Sequence, residues 1–153
     1  MATKRGKIVV WLLFIIYLLF LVKIILFKYP ISLREIFTAP KRPLSYRIGS
    51  SNFIPFRSIS QFLFKGINIR NSLENLLGNI IAFGPLGFLL PMLTNKMNKF
   101  KFVILSAFVL SLIFEIIQLL TSLGEFDVDD IILNVIGGAL GYLFYKILPT
   151  LWR

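Results

Sequence analysis

Polar residues that could bind a ligand or carry chemistry lie inside long apolar stretches of this sequence. Glu115 and Gln118 share one such stretch, and Ser111 and Ser122 extend the pattern at spacings of four, three and four residues. Residues three or four positions apart lie on one face of a helix. A carboxylate at the centre of a membrane helix costs about 2.5–3.5 kcal/mol on insertion scales, so Glu115 is not expected to face lipid.

A second group of polar residues flanks the same region of the chain. Asn75 and Asn79 are one helical turn apart, as are Asp130 and Asn134. Counted at about 1.5 Å per residue from the ends of the predicted helices, all of them fall in the same membrane leaflet as Glu115. The predicted polar pocket consists of Asn79, Glu115, Gln118, Asp127, Asp130 and Asn134. The alternative is that these side chains only join helices, at about 0.6 kcal/mol per hydrogen bond.

The acidic segment at 126–130 contains Asp127, Asp129 and Asp130. Three carboxylates in four residues could hold Ca²⁺ or Mg²⁺, but the spacing does not match a calcium-binding loop, and no metal site is predicted. Asp127 or Asp129 can cap the helix that follows, and negative charge there favours the helix N-terminus. We expect one aspartate to cap and the others to take partners. Arg57 or Arg70 could pair with them and form a salt-bridged lid.

Several classes of chemistry are closed to this chain by its composition. It contains no Cys and no His. Thiol chemistry and disulfides are therefore excluded, and the commonest general base and zinc ligand are missing. The sequence shows no nucleophile–base pair, and no cofactor is expected. We therefore favour a protein that is not an enzyme.

The elements that must position the polar residues follow from the hydropathy. Of the 153 residues, 57% are hydrophobic and 16% are charged, against about 45–50% and about 25% in soluble domains. Apolar segments of about 20 residues match the thickness of the bilayer core. We predict an all-α integral membrane bundle, a single domain over 1–153. Its spans are 8–27, 73–93, 102–123 and 131–151, with a long interfacial loop over 28–72.

Proline and glycine positions refine this prediction. The loop contains apolar stretches around Asn52, Pro55 and Phe56, which favour short helices or a partly re-entrant segment at the membrane surface. Pro85 lies inside the second span, where a kink is expected rather than a break. Close helix packing is expected at Pro85, Gly87, Gly137 and Gly141, because small residues let helices approach each other.

The net charge of +10 is carried by 17 Lys and Arg residues against 7 Asp and Glu. Basic loops that flank apolar spans suit anionic lipid headgroups, and no nucleic-acid motif accompanies the charge, so nucleic acid is not an expected partner. The charge density is highest in the short segments before the first span and after the second. This bias predicts a cytoplasmic N-terminus.

The motifs together resemble the VanZ-like family of membrane proteins. They are Asn52-Phe53-Ile54-Pro55-Phe56, the run 79–90 with Phe83-Gly84-Pro85-Leu86-Gly87, Phe114-Glu115-Ile116-Ile117-Gln118, and the run 127–138 from the acidic segment to Gly138. The resemblance implies a bacterial plasma-membrane protein linked to teicoplanin resistance or to wider antibiotic tolerance of the cell envelope. Many family members carry an Arg shortly before the first Asp, where this chain has Leu123-Gly124-Glu125-Phe126.

Three functions follow as hypotheses. In the first, the polar pocket and the loop residues Asn52, Pro55, Phe56, Arg57 and Arg70 bind membrane lipids, a lipid-linked envelope precursor or a lipoglycopeptide at the outer leaflet. In the second, an intramembrane enzyme uses Glu115 or Asp127 as a general base on a lipid-linked substrate. In the third, a small lipid transporter forms a homodimer through the face that carries Gly137 and Gly141.

Overall fold

The computed structural model describes residues 4–27, 42–64, 69–94 and 98–151. Within these ranges the chain forms helices, turns and one isolated bridge between Asn52 and Asp127. The helices are α1 (Lys4–Leu26), α2 (Leu44–Ser50), α3 (Arg57–Phe64), α4 (Ile69–Leu93), α5 (Phe100–Thr121) and α6 (Val128–Leu151). The prediction of an all-α protein is confirmed.

Four of these helices are long and apolar enough to cross a membrane. The qualifying segments are Gly6–Leu26, Leu73–Leu93, Phe100–Thr121 and Val128–Leu148. At about 1.5 Å per residue, each measures about 30 Å, the thickness of a bilayer core. Large apolar side chains are exposed along all four, which suits lipid as their solvent. The predicted count of four membrane-spanning helices is confirmed, and the two short helices α2 and α3 lie in the first loop.

The closest helix packing is between α4 and α6. Gly87 faces the backbone of Gly138, Gly137 faces that of Ile80, and Gly141 faces Gly84. A Cβ atom added at Gly87, Gly137 or Gly141 would overlap these backbone atoms. Small residues are therefore required for van der Waals packing of the two helices. The face of α6 that carries Gly137 and Gly141, which was the candidate homodimer interface, packs against α4.

Helix α4 continues through Pro85 and Pro91 without a break. The hydroxyl of Tyr17 on α1 donates a hydrogen bond to the carbonyl of Ala82, 2.8 Å away, in the turn before Pro85. Neighbouring helices commonly supply such bonds where proline disturbs a membrane helix. The buried apolar core comprises Leu21, Ile25, Leu26, Phe83, Leu86, Leu90, Leu93, Val103, Ala107, Phe114 and Tyr142.

Candidate functional site

The loop before α3 is fastened to the start of α6. The backbone N–H of Asn52 donates to the carbonyl of Phe126 at 2.8 Å, and the N–H of Val128 donates to the carbonyl of Asn52 at 3.0 Å. The rings of Phe53 and Phe126 stack with their centroids 5.0 Å apart. We call residues 51–64 the lid. These contacts hold the lid over the end of the bundle where α5 ends and α6 begins.

Asp127 is the N-cap of α6. Its Oδ1 accepts the N–H of Asp129 at 2.8 Å, the bond from cap to second helical residue that N-caps form. The same oxygen accepts the amide of Asn52 at 2.8 Å, while Oδ2 accepts the hydroxyl of Ser58. Asp127 therefore caps its helix and holds the lid at once. Its partners on the lid are the amide of Asn52 and the hydroxyl of Ser58, so hydrogen bonds rather than a salt bridge from Arg57 join Asp127 to the lid. The predicted pairing of Arg57 or Arg70 with Asp130 stays a prediction.

Asp129 is the aspartate that the predicted site omitted. It is 1% exposed, and its two carboxylate oxygens accept the backbone N–H groups of Phe56 and Ile59, at the start of α3. Phe56 has a positive φ of 64°, which is unusual for a bulky residue. The bond from Phe56 to Asp129 helps to hold this strained backbone. Asp129 thus places α3 against α6.

The polar face predicted on α5 turns into the bundle. Glu115 is 2% exposed, and its Oε2 accepts the N–H of Asp127 at 2.8 Å. Gln118 donates from Nε2 to the carbonyl of Ile25 on α1 at 3.1 Å. Asn134 on α6 donates to the hydroxyl of Ser111 at 2.8 Å. These bonds join the helices to one another and to the loop before α6.

A cavity of about 170 Å³ lies between α1, α4, α5 and α6, and we call it the inner cavity. Its lining residues are Ile24, Ile25, Glu74, Asn75, Gly78, Asn79, Glu115, Gln118, Asp130 and Asn134. Within the described part of the chain, three buried atoms of this lining have no hydrogen-bond partner: Nδ2 of Asn79, Oε1 of Gln118 and Oδ1 of Asn134. Buried polar atoms are nearly always paired, so these three indicate room for a polar guest.

A larger polar cavity of about 750 Å³, the outer cavity, lies beneath the lid. It is lined by Asn52, Arg57, Ser58 and Gln61 from the lid, by Asp127 and its preceding loop, and by Arg42. Asn75, Gln118 and Asp130 line both cavities, which are therefore adjacent. The outer cavity carries both acidic and basic groups.

All six residues of the predicted pocket line these two cavities. Five of them line the inner cavity, and Asp127 lines the outer cavity. Of the loop residues, Asn52 and Arg57 line the outer cavity, whereas the side chains of Pro55 and Phe56 are exposed. The side chain of Arg70 lies outside the described residues. Pro85, a predicted helix-packing residue, is exposed and borders a separate apolar groove together with Gly84 and Gly141.

The described side chains form no group of three or more carboxylates, His or Cys residues arranged to hold a metal ion. Both oxygens of Asp127 are occupied by the fold, which leaves it a structural acceptor rather than a free base. The predicted site did not include Asp129 and Ser58, which bond the lid to α6, or Arg42, which lines the outer cavity. Their sequence signal was weak, because Asp129 is one position off the helical face of Asp130 and Asn134, and the other two lie in the polar loop.

Comparison with known proteins identifies relatives of this chain. No solved structure matches it. The relative "Protein VanZ" from Enterococcus faecium is 33% identical over 143 residues, covering 92% of this chain and 75% of the relative. The family model described as VanZ/LLP1 matches residues 14–149. The resemblance seen in the motifs is therefore confirmed, and the chain belongs to the VanZ/LLP1 family.

Proposed function

We propose that the chain contributes to teicoplanin resistance, or more broadly to antibiotic tolerance of the cell envelope. It would do so by holding an envelope lipid or the lipoglycopeptide in its polar cavities, at the outer leaflet of the bacterial plasma membrane. Family membership supports the role in resistance. The positive-inside bias supports the outer leaflet, because a cytoplasmic N-terminus puts the lid and both cavities outside.

The observation that carries the binding proposal is the set of unpaired amide atoms in the inner cavity. If Asn79, Gln118 and Asn134 only joined helices, their polar atoms would be paired with one another. Leaving a buried polar atom unpaired costs about 1–3 kcal/mol. A bound polar group can offset that cost at all three atoms, so binding explains an arrangement that helix joining alone does not.

Drug susceptibility tests this proposal in cells that lack the native protein and express variants at equal abundance. Asn79→Leu keeps the number and branching of the side-chain heavy atoms and removes an amide nitrogen that has no partner among the described residues. We expect it to lower teicoplanin resistance. Asn98→Leu makes the same change outside both cavities, where Oδ1 of Asn98 accepts a hydrogen bond from Lys146, and is the matched control.

Glu115→Gln is the second variant, because it removes the buried carboxyl group and keeps an acceptor for the N–H of Asp127. Unchanged resistance in both Asn79→Leu and Glu115→Gln would exclude the inner cavity from the function. Lipid analysis of the same cells separates binding from catalysis. An envelope product that depends on Glu115 would replace binding by the enzyme hypothesis.

A further inference from the structure

We propose that the inner cavity binds the protonated amine of a phospholipid headgroup, with the phosphate of that headgroup in the outer cavity near Arg42 and Arg57. The proposal names the ligand chemistry of the site and rests on the proposed function. Three features of the described residues lead to it: the acceptors around the inner cavity, the basic residues around the outer one, and their adjacency.

The inner cavity contains two amide oxygens that accept no hydrogen bond from the described residues. Oδ1 of Asn134 and Oε1 of Gln118 have no hydrogen-bond partner within the described chain. Asn134 is 1% exposed, so water outside the bundle does not reach it directly. The carboxylate of Glu115, 2% exposed, borders the same space. A primary ammonium group carries three donors and a positive charge, which suits two amide oxygens and a carboxylate.

Among the described residues, arginines border the outer cavity but not the inner one. The residues described around the inner cavity include carboxylates and amides but no Lys or Arg. Arg42 and Arg57 line the outer cavity, and both side chains are exposed to the medium there. Arginine binds phosphate through a planar array of donors. Glu125, Asp127 and Asp130 also line the outer cavity, and Arg42 and Arg57 are the basic residues described there. A zwitterionic headgroup can place its phosphate beside these two arginines and its amine in the inner cavity.

The size and depth of the site fit a headgroup rather than a whole drug molecule. A volume of about 170 Å³ equals the share of about five or six waters in the liquid. The cavity lies within the first turns of α4 and α6 and the last turns of α5, among helices that span the membrane. A lipid in the adjacent leaflet can place its amine there while its acyl chains remain in the bilayer. The unpaired Nδ2 of Asn79 can then donate to an ester or phosphate oxygen.

Native mass spectrometry of the full chain in detergent tests the proposal with three probe lipids of equal acyl chains. Phosphatidylethanolamine has a primary ammonium, phosphatidylcholine has the same charge without N–H donors, and phosphatidylglycerol has no amine. We expect the first bound phosphatidylethanolamine to have a Kd lower by about tenfold than either of the others, from its charge-assisted hydrogen bonds. Equal Kd values for the three lipids would overturn the proposal.

Two variants and a control assign any preference to the inner cavity. Glu115→Gln is expected to remove the preference for the primary amine. Glu125→Gln makes the same substitution at an exposed residue that lines the outer cavity and not the inner one. This control is expected to keep the preference for the primary amine. Gly78→Leu is a second test that does not depend on the folding of Glu115→Gln. Gly78 lines the inner cavity and a Cβ there meets nothing within 4 Å, so the added side chain takes up space at the cavity without a clash. A preference retained in both Glu115→Gln and Gly78→Leu would refute the assignment.

Soluble phosphoethanolamine tests whether the headgroup alone binds. Teicoplanin resistance, measured in the same variants, separates amine binding from the proposed function. Displacement of the bound lipid by soluble phosphoethanolamine would show that the headgroup suffices, and its failure would show that the acyl chains are needed. A lipid preference abolished by Gly78→Leu without change in teicoplanin resistance would leave amine binding standing and overturn the role of the inner cavity in resistance. Lost resistance with equal Kd values for all three lipids would overturn only the amine.

Discussion

Replacing Asp129 by alanine should release the lid from the bundle. Its carboxylate accepts the N–H groups of Phe56 and Ile59, on the segment that leads into α3. Hydrogen bonds to a charged group contribute about 1.5–3 kcal/mol each. Phe56 is exposed and Ile59 is half-buried, so water can pair with their released N–H groups when the lid opens, and we take the lower value for both bonds. The free energy that opens the lid should then fall by about 3 kcal/mol.

Amide hydrogen exchange measures this change directly. At about 1.4 kcal/mol per factor of ten, the loss of both bonds should speed exchange in residues 56–62 by about 100-fold. Exchange in the middle of α6 should stay unchanged, because its own backbone bonds are intact. Asp129→Asn keeps the shape and only one acceptor oxygen, and should give about a tenfold increase.

Glu125→Ala is the control, because it removes a carboxylate from the same loop at an exposed position. It should leave exchange in the lid unchanged. The reasoning would be refuted if Asp129→Ala exchanged like the wild type in residues 56–62. Equal acceleration in the lid and throughout α6 would also refute it, since it would show global unfolding rather than release of the lid.

Two further predictions concern the packing of the helices and their orientation in the membrane. Gly141→Ala forces a Cβ onto the backbone of Gly84 and should lower the free energy of unfolding in detergent by about 2 kcal/mol. Gly78→Ala is the control and should not lower it, because the added Cβ meets nothing within 4 Å. Equal losses in the two variants would contradict the close packing of α4 with α6. Since the chain contains no Cys, a membrane-impermeant maleimide should label Glu125→Cys in intact cells and Lys99→Cys only after permeabilisation. The reverse pattern would place the lid in the cytoplasm.

The sequence was informative where the controlling physics is local. Apolar runs of bilayer length predicted four spans, and the helical period predicted which polar residues share a face. Because the second and third spans each cross the bilayer, the first and third loops must lie on one side. The meeting of Asn79, Glu115 and Asn134 followed from these facts alone. Glycines at 137 and 141 similarly predicted a closely packed face, although not the helix that covers it.

The roles of the acidic residues could not be assigned from the sequence. Asp127, Asp129 and Asp130 are near neighbours with the same chemistry, and each was a candidate cap or partner. Asp127 is the cap because α6 begins at Val128. Asp129 meets donors 70 and 73 positions away along the chain, and these donors are backbone groups that no side-chain pattern reveals. Asn52 and Ser58, rather than Arg57, join the lid to Asp127.

The position of the polar residues and the cavity that they line have different origins. Their presence near one end of a four-helix membrane bundle was determined by the sequence itself, because hydropathy and helical period act within one segment. The inner cavity and its unpaired amide atoms were decided only by the tertiary structure. Whether Gln118 pairs with Asn79, or with Ile25 across the bundle, depends on how the helices pack and where the lid closes. Those distances are set by the glycine contacts of α4 with α6 and by the bonds of the two aspartates.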